Sequence, residues 1–172
     1  MTGVIQSLKE NNITEILPIV SDICIHSENR FSTPEKIKEK LETLTGKEII
    51  DTIAKAEPIG PKNMVDIILV LPCTGNTLAK LTHGITDTPV LMAIKSHIRN
   101  NKPVVLGIST NDGLGANAEN IGRLLNTKNI YFIPFTQDEP QKKPKSLVCD
   151  YSKTVETLKE ALNGKQIQPV LI

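Results

Sequence analysis

The chain has 172 residues, 39% of them hydrophobic and 23% charged, a length and balance suited to one domain with a continuous core over residues 1–172. Twenty Lys and Arg against nineteen Asp and Glu leave a formal charge of +1, which is no electrostatic footprint for nucleic acid or an anionic membrane. Eighteen consecutive apolar residues occur nowhere, and Met1-Thr2-Gly3-Val4 has neither the basic nor the apolar region of a signal peptide, so a cytoplasmic protein is expected.

In chain order, Val4, Ile5 and Leu8 give a helical pattern where a doubly wound sheet ordinarily opens with a strand and a glycine-bearing turn. The chain therefore reads as starting after that unit. Residues 15–21 read as a strand. Ser32-Thr33-Pro34-Glu35 supplies a cap, a first-turn proline and a capping-box glutamate for a helix through Ile37, Leu41 and Leu44, which Gly46 stops. Residues 64–71 form a second strand, and the loop from Pro72 to Thr77 leads into a helix marked by Leu78, Leu81 and Ile85. Asp87-Thr88-Pro89 opens another helix through Leu91, Ile94 and Ile98. Residues 103–108 and 129–135 are further strands. The segment 136–150, with its prolines and lysines, reads as an exposed arm, and Val155, Leu158 and Leu162 line a last helix ended by Gly164. The strands are mostly apolar at both parities, as strands covered on both faces are. The expected fold is therefore α/β, a three-layer α/β/α doubly wound parallel sheet.

In such a sheet, ligands bind beyond the carboxyl ends of the strands. Three loops there are chemically loaded. Cys73-Thr74-Gly75-Asn76-Thr77 precedes a helix, whose free N–H groups and dipole favour an anion or an electron-rich ring edge; Thr74 or Asn76 acting only as a helix cap is the alternative. Ser109-Thr110-Asn111-Asp112-Gly113 gathers hydroxyls, an amide and a carboxylate, a composition that a plain turn also favours. Residues 21–29 contribute Ser21, Ser27, Glu28 and Asn29. Three polar loops converging on one edge suggest a pocket for a phosphorylated, ring-bearing ligand.

Other groups point to less. His26, His83 and His97 have no metal-ligand spacing, and the last two fall on helices where surface packing is the ordinary explanation. Cys24, Cys73 and Cys149 are odd in number and form no C-x-x-C pair, so neither a disulfide framework nor a zinc site is expected. Cys73 sits where a helix N-terminus would stabilise a thiolate, although inert buried cysteines are the commoner case. The run from Lys36 to Glu42 reads as a solvated helix face. No phosphate-binding Walker loop, G-x-G-x-x-G or G-x-S-x-G is present.

Residues 71–87, LPCTGNTLAKLTHGITD, resemble the P-A-S-A-N-T-x-A-K-x-A-x-G-x-A-D motif of the flavoprotein superfamily, which includes homo-oligomeric flavin-containing cysteine decarboxylases and flavin prenyltransferases. Further blocks are similar to the branch of dipicolinate synthase B subunits: Arg30-Phe31, then residues 57–61, 89–93, 103–112, 127–130 and 164–169. The resemblance implies a flavodoxin-like or Rossmann-like domain that binds FMN between subunits of a trimer or a multiple of trimers. It implies Ser21 near the FMN phosphate, Thr74, Gly75, Asn76 and Thr77 against the flavin, and Ser109 and Asn111 near the isoalloxazine or substrate; Cys73 and Thr110 complete the cofactor-binding set. It also implies a partner, the NAD(P)-linked dipicolinate synthase A subunit, in the oxidation and dehydration of a hydroxy-tetrahydrodipicolinate to dipicolinate during sporulation. The motif differs at its front, because Met1-Thr2-Gly3 holds only a trace of the usual T-G-S phosphate loop. Glu57-Pro58-Ile59 stands where the decarboxylases carry a histidine, so decarboxylation is not implied by motif. A flavin-free scaffold, or an FMN-dependent decarboxylase or prenyltransferase, remains the alternative, and no side chain is identified as general acid or base.

Overall fold

The computed structural model describes residues 2–13, 15–21 and 33–172. The expected loop residues Ser27, Glu28 and Asn29, with Cys24, His26, Arg30, Phe31 and the cap Ser32, lie outside the described residues.

Helix α1 (Thr2–Glu10) and helix α2 (Pro34–Thr45) come first. Thr33 stands at the N-cap of α2 and Pro34 at its first position, so Glu35 is in the second position rather than the third that a capping box requires. Gly46 ends the helix at φ 68, a left-handed conformation that a side chain would strain, and returns its N–H to the Glu42 carbonyl. A short helix α3 (Ile53–Ala56) runs into a 3-10 turn at Glu57–Ile59.

The sheet begins with β1 (Ile68–Cys73) and continues, after α4 (Gly75–Thr82) and α5 (Pro89–Ile98), with β2 (Val104–Thr110). Helix α6 (Asn117–Leu125) leads to β3 (Ile130–Phe132), then β4 (Phe135–Gln137), β5 (Leu147–Cys149) and α7 (Thr154–Leu162). Strands β1 and β3 pair with β2 in parallel, Val70 opposite Leu106 and Leu106 opposite Phe132. Val104, Val105, Leu106 and Ile108 are all fully buried. Burial at both parities requires cover on both faces, which the helices supply: α5 packs on β1, α4 on β2, and α7 on β2 and β3.

Three differences from the sequence reading have physical causes. Residues 15–21 do not make a sheet strand; Ile19 forms a single parallel bridge with Ile50 at the edge of the main core, while the next-door Val20 and Ile49 join Ile5 and Leu41 in a smaller one. Pro18 lacks the N–H that a longer ladder would use. The apolar run 129–135 is split, because Pro134 interrupts the ladder after Ile133, whose N–H reaches the Leu106 carbonyl. The segment read as an arm is instead a hairpin: β4 and β5 pair antiparallel, and β5 pairs antiparallel with the end of β2, Ser109 opposite Val148. Its turn, residues 139–145, is exposed, as are Thr136 and Gln137 of β4, while Ser146, Leu147 and Cys149 are buried. Thus β2 has β1 along one edge, and along the other β3 for its first half and β5 for its last two residues.

Among the described residues, no helix is long and apolar enough to cross a membrane, and no group of three or more His, Cys, Asp or Glu is placed to hold a metal ion.

Candidate functional site

β1 and β2 end side by side, and the loops that leave them define a cleft of about 460 Å³, within the range of small-molecule sites. Thr74, Gly75 and Asn76 come from the first loop and Ser109 to Asp112 from the second. Asn117 of α6, and Asp138, Ser146, Leu147 and Val148 of the hairpin, close the other side. The hairpin is tied down by Leu114 N–H to the Lys145 carbonyl, 3.0 Å, and by the Ser146 hydroxyl to the Thr110 carbonyl, 3.3 Å.

Thr74 caps α4: its Oγ1 accepts from the Thr77 N–H at 3.4 Å and lies 3.2 Å from the Thr77 hydroxyl. The capping alternative for this loop is therefore met by Thr74, and Asn76 stays available on the cleft wall. Gly75 is required by close approach, because a Cβ there would stand 2.5 Å from Asn117 Nδ2, 2.7 Å from Thr110 Oγ1 and 2.9 Å from Asp112 Oδ1. Those three atoms belong to one network. The Thr110 hydroxyl donates to Asp112 Oδ1 at 2.6 Å, and the Asn117 amide donates to Oδ1 and Oδ2 at 2.8 and 2.9 Å. Behind them, Asn120 Nδ2 donates to Asn117 Oδ1 at 3.0 Å. The Thr110 hydroxyl first, and then the Asn117 amide, hold the Asp112 carboxyl below the usual carboxylate range. Asp138 is paired with Lys143 at 2.9 Å.

The structure thus brings Thr74, Gly75, Asn76, Ser109, Thr110 and Asn111 to one cleft, while Thr77 stands a turn into α4 with its hydroxyl on Thr74. Ser21 is half-buried and does not line the cleft. Cys73 does not either: it is fully buried, and burial, followed by the neighbouring Cys149, pushes its thiol up to about 12. This is the inert core cysteine rather than a thiolate at a helix end. His97 is also a core residue, 1% exposed, where helix position alone suggested the surface. Asp112 was visible within the second loop but had no role assigned, and Asn117 and the hairpin residues reach the cleft through tertiary packing that has no local signature.

A family model described as Flavoprotein matches residues 2–164. The chain belongs to the flavoprotein family. It is 49% identical over 162 residues to the dipicolinate synthase B subunit of Bacillus subtilis (strain 168), covering 94% of this chain and 81% of that protein. Among solved structures, the dipicolinate synthase B subunit from Bacillus halodurans matches with a TM-score of 0.88 and 45% identity over 98% of this chain and 87% of the other. The FMN-dependent cysteine decarboxylase SpaF matches with a TM-score of 0.62 over 94% and 86%; at 17% identity this likeness concerns the fold alone. The Rossmann-like arrangement of this flavoprotein chain is therefore that of the dipicolinate synthase B subunits.

Proposed function

We propose that the chain works as the B subunit of a dipicolinate synthase, with the ring of FMN seated in the cleft beyond β1 and β2. In this reading it acts beside the NAD(P)-linked A subunit, on a hydroxy-tetrahydrodipicolinate, in a cytoplasmic assembly built from trimers, during sporulation. The observation that carries the reading is the donor set of the cleft. The first N–H groups of α4, the Asn76 and Asn111 side chains and the hydroxyls of Ser109 and Thr110 line the cleft, and the absence of a side chain at Gly75 lets the start of α4 pack against the Thr110, Asp112 and Asn117 network. Such groups suit the carbonyls and ring nitrogens of a flavin, and the cleft volume suits a ring system. When bound, a flavin supplies a two-electron acceptor.

The protein's own part is then orientation and electrostatics. Thr74 fixes the start of α4, and with it the N–H groups that face the ring. The hairpin walls the cleft on one side with Leu147 and Val148 beside Asp138 and Ser146. No histidine and no unpaired lysine or arginine lines the cleft among the described residues, so proton transfer to substrate is assigned to no side chain here.

That charge pattern also favours a second reading, in which the chain assembles the A subunit without a flavin. Asp112 and Asp138 line the cleft, and a phosphate gains nothing from them. Titration of the purified chain with FMN, following flavin fluorescence and the visible absorption band, separates the two. Saturable binding supports the flavin reading, and its absence supports the scaffold. Asn76→Asp is expected to weaken FMN binding by placing a further carboxylate, beside Asp112 and Asp138, against electron-rich acceptors, with the circular dichroism spectrum unchanged. Unchanged affinity would remove Asn76 from the site.

A further inference from the structure

The carboxylate of Asp112 stands on the cleft wall with an asymmetric set of partners. Oδ1 accepts from both Thr110 and Asn117, whereas Oδ2 accepts from the Asn117 amide alone among the other described residues. A carboxylate oxygen has two acceptor sites, so Oδ2 retains capacity for a further donor, and Asp112 is a residue of the cleft lining. No Lys, Arg or His lies within salt-bridge distance of it among the described residues. Beside it, Gly75 places backbone rather than a side chain, and the N–H groups of Gly75 and Asn76, first in α4, have no acceptor inside the helix. An acceptor next to outward-facing donors is the complement of a ring edge in which an N–H is set between two carbonyls.

We propose that Asp112 sets the ligand selectivity of the cleft: its Oδ2 accepts a hydrogen bond from the N–H of a cyclic imide, the edge that a flavin ring presents. The inference rests on the flavin reading of the cleft and deepens it by naming the edge that is read. The hydrogen bonds from Thr110 and Asn117 keep the group ionised at neutral pH, so it acts there only as an acceptor. A ligand that offers carboxylates at this place meets like charge, whereas an imide N–H meets a charged acceptor, the stronger kind of hydrogen bond. Asp112 is in this sense a specificity residue, and its second function is to hold Thr110 and Asn117 in register.

The experiment compares FMN with FMN methylated at the imide nitrogen, each titrated by fluorescence into wild type, Asp112→Asn and Asp112→Ser. Wild type is expected to favour FMN by about tenfold or more, and both variants to bring the two ligands within about threefold of each other, because the charged acceptor is gone. Equal affinities in wild type would overturn the inference and leave the flavin reading standing. A preference that persists undiminished in the variants would trace it to the bulk of the methyl group and would also overturn the inference. Failure of wild type to bind either ligand would sink the flavin reading and this inference with it. Thermal unfolding of each variant verifies that it is folded; the two variants differ in size, so either one that folds completes the comparison, and equal affinities in wild type refute the inference without them.

Discussion

Adding a single methyl group at Gly75 tests the site's construction directly. In Gly75→Ala the new Cβ would lie 2.5 to 2.9 Å from Asn117 Nδ2, Thr110 Oγ1 and Asp112 Oδ1, closer than carbon tolerates, and these three atoms are the partners of one another. The helix itself would gain from alanine, by at most about 1 kcal/mol. Against that, crowding in a packed site costs about 1–3 kcal/mol, and displacing a hydrogen bond to a charged group about 1.5–3 kcal/mol. The net expectation is a loss of about 1.5–6 kcal/mol, which for a chain of this size lowers the thermal midpoint by roughly 3–24 °C. Urea unfolding gives the free energy, and carbon NMR of the Asp112 carboxyl gives a local readout. That carboxyl, now held below its usual range by Thr110 and Asn117, should move up toward an ordinary aspartate. A variant as stable as wild type whose Asp112 titration is unmoved would refute the claim that glycine is needed for this network.

Other expectations follow from single residues. Gln166 clamps the backbone of Phe132, accepting its N–H at 2.7 Å and donating to its carbonyl at 2.8 Å; Gln166→Ala should cost about 2–3 kcal/mol in urea unfolding, and a change below about 0.5 kcal/mol would show that water replaces the clamp. Burial holds the His97 imidazole below its usual 6.5, with Lys102 acting in the same direction, so the unfolded chain takes up the proton first. Stability from this residue is complete above about pH 6.5 and lost as pH falls from there toward the folded value. The urea midpoint should therefore drop on acidification through that window, and His97→Gln should flatten the drop; equal slopes would exclude His97 as the cause. Cys73 and Cys149, pushed up to about 12 and about 11 mainly by burial, should resist alkylation in the native protein and react once it unfolds, as peptide mass spectrometry would show; rapid native labelling of Cys73 would place it in the cleft after all.

What the sequence made legible was whatever depends on neighbours in the chain. Thr88 and Pro89 announced the start of α5, and Thr88 does accept from the Leu91 N–H at 3.2 Å. Gly46 and Gly164 marked the ends of α2 and α7, both with positive φ. The unbroken apolarity of residues 104–108 is that of a central strand, because a strand with two neighbours and two covered faces has no room for polar alternation. The cleft was legible in its strand-end loops, since the chain-reversal residues there are also its polar ones. Its far wall was not. Residues 146–148 reach Thr110 across a separation of 36 or more positions, and the lysines and prolines around them resemble any solvated turn. His97 was misjudged for the same reason: a histidine on a helix carries no label for the face that it occupies. The helix expected through Ile85 ends earlier because Gly84, at φ 70, turns the chain out, leaving Ile85 exposed.

The division of β2 between two neighbours separates the opening of the cleft from the unfolding of the domain. Val104 to Leu106 are held on both edges by parallel strands, whereas Ser109 and Thr110 rely on β5 for one edge through two residue pairs. Releasing the hairpin would undo those two pairs and leave the parallel centre intact. In hydrogen exchange, the amides of Val104 to Leu106 would then report global stability and those of Leu147 and Val148 a smaller, local opening. A ligand bound between the strand ends and the hairpin would slow the second class more than the first, so exchange rates at Leu147 and Val148 would register occupancy of the cleft without any assay of chemistry.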